Sequence, residues 1–278
     1  MNDIQFVVGD GEVVTHQGHR VVFPGSERRV VRRQRLAVGG NVVSVEGTAA
    51  LYASVGTGVF GRLVEAIPAA LLLQHRALRD WAPITLIHDG TAGLAEEFLL
   101  GCIENPQVRL EAMGPGSIAV PERAALPSPV GRTHAGALTR WYRRWVDREA
   151  GKAGDSPAAR RIVVRHGPGD PLMRHPMICD AIAGHGLVTL DTLTGALGDS
   201  DTLDAAKVVA LLRDAHLVLG VSDDALAHAV FARRASILQI APGETVSPRT
   251  AQLAASRALP YQYVPLNGLE WALETILE

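Results

Sequence analysis

Gly220-Val-Ser-Asp-Asp224 joins an apolar run, Leu217 to Leu219, to a stretch patterned as a helix. A tight glycine turn that opens a helix presents free backbone N–H groups and the positive end of the helix dipole. That setting suits an anion such as a diphosphate. Asp223 and Asp224 are themselves anions, so the same residues also read as a capped helix with no ligand. Arg165 ends the apolar run Ile162 to Val164. A guanidinium there can fork onto a phosphate or carboxylate, or make a structural ion pair. Arg174, in the following loop, is a second cation on the same rim. His88-Asp89 follows the apolar run Ile84 to Ile87. Its carboxylate could accept a proton from a hydroxyl, or bond its own backbone in a turn. Glu65 stands among apolar neighbours and belongs either to a cleft or to the solvent side of a helix.

These residues need elements that bring them to one edge. From residue 160 onward, strand and helix patterns alternate with short loops. Strands are expected at Ile162 to Val164, Leu187 to Leu190, Leu217 to Leu219, Ser236 to Ile240 and Gln262 to Val264. Helices are expected near Pro176 to Ala183, Leu203 to Asp214, Asp224 to Ala232, Arg249 to Ala258 and Leu269 to Leu277. Alternation of this kind gives a parallel sheet covered on both faces, joined by right-handed crossovers. Ligands of such sheets bind outside the carboxyl ends of the strands. Arg165, His166 and the loop 167–170, Gly220 to Asp224, and Ala241 to Gly243 all fall there.

The first half starts differently. Residues 4–55 carry short β-branched runs separated by Gly, Asp and Pro, the pattern of short strands. The period then becomes helical from about Val59 to Leu78, with a kink or break expected at Pro68. Further strands are expected at Ile84 to Ile87, Val108 to Ala112 and Ser117 to Val120, and helices at Gly93 to Ile103 and Thr133 to Ala150. Gly151 to Ala159 is small, polar and Gly/Pro-bearing, as interdomain linkers are. The expected division is therefore 1–152, an α/β domain with a β-rich start, and 153–278, a Rossmann-like domain.

Bulk properties fit an α/β globular protein. The 278 residues are 47% hydrophobic and 20% charged, with a formal net charge of −2. No global positive field draws the chain to nucleic acid. Cys102 and Cys179 stand in no metal-ligand or disulfide spacing. The N-terminus shows neither the basic nor the apolar region of a signal peptide, and no apolar stretch reaches the ~20 residues a spanning helix needs. The expected location is cytoplasmic; peripheral membrane contact and homo-oligomers stay open. Phosphate-loop, dinucleotide, nucleophile-elbow and zinc-protease motifs are absent. Asp199, Asp201 and Asp204 read as caps for the next helix, and no metal or cofactor site is expected.

Four segments of the second half resemble the family 61 glycosyltransferases, the capsular polysaccharide biosynthesis type. Arg160-Arg161-Ile-Val-Val-Arg165 is similar to that family's first strand of the lobe, and Arg174 falls where the family has its next arginine. Val208 to Gly220 resembles its helix–strand leading into a glycine loop, and Val230 to Pro242 its next helix–strand. In the first half, Gly58 to Pro68 is similar to the family's helix that carries Glu65. The resemblance implies two Rossmann-like lobes of the GT-B kind, with a nucleotide-sugar donor in the C-terminal lobe and a hydroxyl acceptor, glycan or small molecule, at the N-terminal lobe. It implies metal-independent transfer, with the nucleotide sugar as substrate rather than cofactor. Arg165 and Arg174 would hold the diphosphate, with Ser222, Asp223, Asp224, Ala225 and His228 around it and Gln239 near the ribose. Asp89, then Glu65, would be the base.

The same positions support two other readings. Gly61 and Ser222 replace family histidines, as a catalytically degenerate scaffold or partner protein would show. Asp223, Asp224 and His228 could instead form the acid/base set of a different small-molecule enzyme in the cleft between the lobes.

Overall fold

A computed structural model describes residues 4–7, 12–15, 41–52, 59–88, 97–98, 101, 103–114, 117–125, 140–152, 160–167, 174–198, 201–241 and 248–277. The chain forms two compact units, Met1–His134 and Ala135–Glu278. Each is mixed α/β with a largely parallel sheet.

The first unit holds strands β1 (Ile4–Val7), β2 (Glu12–Thr15), β3 (Val42–Leu51), β4 (Ile84–His88), β5 (Val108–Ala112) and β6 (Ile118–Ala124). Their order is β2-β1-β6-β3-β4-β5. The last four are mutually parallel, and β1 joins β6 and β2 antiparallel as an edge hairpin. The long β3 changes register against β6 between Val45 and Thr48. Gly47 supplies the positive φ of 75° that this bulge requires, and its N–H donates to Glu122 Oε2 at 2.9 Å. The helix expected from Val59 begins with a π-helical turn, Gly61–Ala66, and continues as α1 (Ile67–Leu72). Pro68 falls in the first turn of α1, where a missing N–H costs least. The break anticipated at this proline thus takes the form of a change of helix type. A 3₁₀ helix, Arg76–Trp81, leads into β4. The expected runs at residues 21–31 lie outside the described residues, as does most of the expected helix at 93–103.

The second unit contains α2 (Arg140–Lys152), β7 (Arg161–Arg165), α3 (Pro176–Gly184), β8 (Val188–Asp191), β9 (Ala196–Leu197), β10 (Asp201–Thr202) and α4 (Ala205–Asp214). It continues with β11 (Leu217–Gly220), α5 (Asp223–Leu226), a 3₁₀ turn over Ala227–Phe231, β12 (Ser236–Ala241), α6 (Arg249–Arg257), β13 (Tyr261–Pro265) and α7 (Leu269–Leu277). All five expected strands and their parallel pairing are present. The sheet order is β10-β9-β8-β7-β11-β12-β13, with β9 and β10 as a short antiparallel extension.

Both faces are covered. Val163, Leu219, Leu238 and Ile240 pack with Ile178 and Ala181 of α3 and Leu269, Ala272 and Leu273 of α7. By strand alternation Ile162, Val164 and Val218 face the other way, and all are fully buried. Burial on both sides explains why these strands read as unbroken apolar runs. Helix α2 belongs to this unit, which begins at Ala135, 18 residues before the expected start at 153. It packs beside α4, and Trp145 meets Phe231 edge-on at 6.1 Å. The small polar stretch after α2 is therefore not where the compact units divide.

No helix among the described residues is long and apolar enough to cross a membrane. Asp204 caps α4 as expected, accepting from the Lys207 N–H at 2.8 Å, whereas Asp201 begins β10. Cys179 lies exposed on α3.

Candidate functional site

In chain order the five parallel strands of the second unit run 2-1-3-4-5 across the sheet. From β7 the chain winds outward to β8 on one side, then returns to β11 and winds out the other way. Connections leave β7 and β11 in opposite directions, so a crevice opens between their carboxyl ends, the switch point of a doubly wound sheet. Register places Gly220 beside Val164, one residue before Arg165. The switch point therefore brings together Arg165 with His166 and the Gly220 turn.

The β7 side is tied down through β8. Arg165 pairs with Asp191 in register, and its Nε lies 3.4 Å from Asp191 Oδ2. Asp191 is buried, and its other oxygen accepts from the Gly167 N–H at 3.2 Å and the Leu193 N–H at 2.9 Å. One carboxylate thus fixes both the strand-end arginine and the turn after it. Gly167 sits at φ 77°, a conformation that favours glycine. The Arg165 side chain remains 35% exposed. Asp191 faces it as an ion pair at Nε without a hydrogen bond, and the terminal guanidinium nitrogens have no bond to another described residue. A planar fork anchored at its inner end and open at its outer end is suited to an oxyanion.

Beside it, Thr192 binds the Arg165 carbonyl twice, through its N–H at 2.8 Å and its hydroxyl at 2.9 Å. The Thr192 Oγ1 also contacts His166 Nδ1 at 3.3 Å. Arg174 is exposed in the turn that enters α3, on the same carboxyl-end rim. Residues 168–173, between His166 and that turn, lie outside the described residues.

The β11 side is organised differently. A Cβ on Gly220 would come within 2.9 Å of both Leu226 Cγ and Val164 Cγ2, so glycine there lets α5 close down on the sheet. Ser222 is the N-cap of α5, and its Oγ accepts from the Ala225 N–H at 3.2 Å. Asp223 turns towards β12. Its Oδ1 accepts from the Thr250 hydroxyl at 2.6 Å and from Gln239 Nε2 at 3.4 Å. Gln239 Oε1 in turn accepts from the Tyr261 hydroxyl at 2.8 Å. Both ends of the Gln239 amide are thus engaged within the protein. Burial, with the Asp223 charge and Tyr263 adding to it, raises the Tyr261 pKa. Asp224 is half-buried.

Ala225 and His228 are fully buried and support the turn from beneath. Burial pushes the His228 pKa down to about 3, with the charge of His166 adding to it, while bonds to the Ala225 and Asp224 backbones oppose the shift. His228 is therefore neutral at ordinary pH, a poor start for an acid/base set.

The structure thus gathers Arg165, Ser222, Asp223, Asp224, Ala225, His228 and Gln239 at one strand edge and divides them by task. Glu65 lies in the π-helical turn of the first unit, with its side chain outside the described residues, and Asp89 lies outside them altogether. Asp191, Thr192, Thr250 and Tyr261 were not read from the sequence. Asp191 and Thr192 follow the expected strand Leu187 to Leu190, so the strand-end rule that selected Arg165 also reaches them. Thr250 and Tyr261 sit at a helix start and a strand start, and nothing local in the sequence marks them.

The sequence matches no protein-family model and no curated protein.

Proposed function

We propose that the second unit binds the donor of a glycosyltransferase, a nucleotide sugar, with its diphosphate at the switch point between β7 and β11. The observation that carries this reading is Arg165, whose Nε lies 3.4 Å from buried Asp191 and whose terminal guanidinium nitrogens bond no other described residue. Arg174 adds a second cation on the rim. The resemblance to family 61 supplies the donor class, and the doubly wound sheet is of the kind such donors occupy. The two units would form the donor and acceptor lobes of a GT-B-like enzyme that passes the sugar to a hydroxyl without a bound metal. Stabilising the departing diphosphate by fixed cations lowers the barrier electrostatically.

A specific observation favours a second reading, a scaffold without transfer activity. Ser222 caps its own helix, and Asp223 is bound to Thr250 and Gln239, so the turn that would cradle a diphosphate has its side chains committed to the fold. Thermal denaturation with UDP- and GDP-linked hexoses separates the two. A ligand at a hundred times its Kd stabilises the folded chain by about 2.7 kcal/mol and raises Tm. A donor-binding unit shows that rise for at least one member of the panel. An unchanged Tm across the panel would remove the donor reading and leave the scaffold.

A further inference from the structure

We infer that His166 is the group that accepts the proton from the attacking hydroxyl, with Nε2 as its basic nitrogen and Thr192 as the residue that positions it. The inference rests on the donor reading above and adds a residue that neither the resemblance nor the strand-end aspartates supply.

The inference starts from a proton count. The Thr192 Oγ1 lies 2.9 Å from the Arg165 carbonyl oxygen. A carbonyl has no hydrogen to give, so the single hydroxyl proton of Thr192 lies on that line. The second contact of Oγ1, to His166 Nδ1 at 3.3 Å, must then use an oxygen lone pair. Nδ1 therefore carries a hydrogen. In the neutral ring this leaves Nε2 bare, and Nε2 has no bond to another described residue. A base oriented by a hydrogen bond to its far nitrogen is the arrangement general-base catalysis calls for.

The support behind the ring is rigid. The Thr192 N–H also binds the Arg165 carbonyl, at 2.8 Å, and buried Asp191 fixes the turn at Gly167. His166 is half-buried, whereas the neighbouring His228 is fully buried and neutral. Arg165 is the last residue of β7 and His166 the first beyond it, so the two stand side by side at the carboxyl end of the strand. A ligand lying across the ends of β7 and β11 meets both. In the step proposed, the acceptor oxygen bonds to the anomeric carbon as its proton passes to Nε2. The bond from that carbon to the diphosphate breaks, and its electron pair leaves on the diphosphate oxygen. The imidazolium then returns its proton to water. Among the described residues, the charged and titratable groups around His166 are Arg165 beside it on β7, Asp191, whose carboxylate binds the next N–H at Gly167, and His228, whose pKa the His166 charge lowers.

Three readings on the 278-residue chain test this. The first is the tautomer, from ¹⁵N-histidine spectra of the wild type, with the His166 signal assigned by its loss in His166→Gln. Hydrogen on Nδ1 in the neutral form is expected, and loss of that preference in Thr192→Val. Hydrogen on Nε2 in the neutral wild type overturns the proposal. The second is calorimetric titration with UDP- and GDP-linked hexoses. The third is release of nucleoside diphosphate from the hexose donor that binds, with water or glycerol as acceptor, followed across pH. His166→Gln is expected to bind donor within about twofold of wild type but to release diphosphate roughly 10²–10⁴-fold more slowly. The wild-type acid limb should vanish with it. Thr192→Val should slow release about tenfold and displace that limb. Wild-type turnover in His166→Gln, at unchanged donor affinity, overturns the role of His166 alone. Absence of donor binding to the wild type overturns the donor reading, and this proposal with it.

Discussion

The two sides of the switch-point crevice use polar residues in opposite ways. On the β7–β8 side, Asp191 and Thr192 pin Arg165 and His166 from behind and leave the outer guanidinium nitrogens and Nε2 without bonds to other described residues. On the β11–β12 side, Asp223, Thr250, Gln239 and Tyr261 bond to one another, and Ser222 bonds to its own helix. The first arrangement leaves donor groups and a ring nitrogen without described partners, and under the proposed function these would meet the ligand. The second stabilises the turn and gives a ligand little. Strand-end position alone does not distinguish them; the direction of each side chain's hydrogen bonds does.

Substitutions on the two sides should separate stability from binding. The largest loss is expected for Asp191→Ala, which removes the acceptor of two N–H groups and the partner of Arg165. Roughly 3 kcal/mol should be lost in urea unfolding, tempered by the partial exposure of Arg165, together with ligand affinity. Full affinity in this variant would show that the β7 side needs no support from β8. Gly220→Ala should cost about 1–3 kcal/mol, because the new Cβ overlaps Leu226 and Val164. Unfolding at wild-type urea concentration would mean that α5 lifts freely from the sheet.

Thr250→Val should cost about 1–2 kcal/mol through the Asp223 carboxylate it leaves with one partner fewer. Donor affinity should not move, and a fall in affinity would put the β11 side back into the binding site. The burial of His228 sets a pH dependence of its own. Its pKa is about 3 when folded and near the ordinary histidine value of 6.5 when unfolded. The unfolded chain therefore takes up a proton between these values that the folded one does not. The His228 contribution is complete above pH 6.5 and is lost as pH falls, by up to about 1.4 kcal/mol per pH unit. His228→Leu should flatten that slope between pH 6 and pH 4, measured by unfolding at each pH. An unchanged slope would place the acid sensitivity elsewhere.

Much of the second unit was legible because its strands are buried on both faces and so read as continuous apolar runs. Arg165 and Gly220 followed from the rule that ligands gather at carboxyl strand ends. The division between units was not legible. Composition pointed to the small polar stretch after Lys152, but the attachment of α2 depends on Trp145 meeting Phe231, a pairing across 86 residues. The Asp223 network was equally hidden. Thr250 and Tyr261 are 27 and 38 residues away from Asp223, and only the fold brings them to it. Asp223 reads in the sequence as a cap of its helix, whereas the structure gives that cap to Ser222 and binds the Asp223 carboxylate to a threonine hydroxyl and an amide. His228, which the sequence offered as an acid or base, is a neutral core residue.

The most direct test of the account is calorimetric titration of UDP- and GDP-linked hexoses into wild-type protein and Arg165→Ala, at one ionic strength. In the variant buried Asp191 keeps its two N–H donors but loses its cation, so the chain should fold with some loss of stability, checked by urea unfolding beside the titration. The account predicts that one of these donors binds the wild type and that its Kd rises at least about tenfold in the variant, a loss of about 1.4 kcal/mol. Equal affinity in the two proteins, or no binding to the wild type, would contradict it.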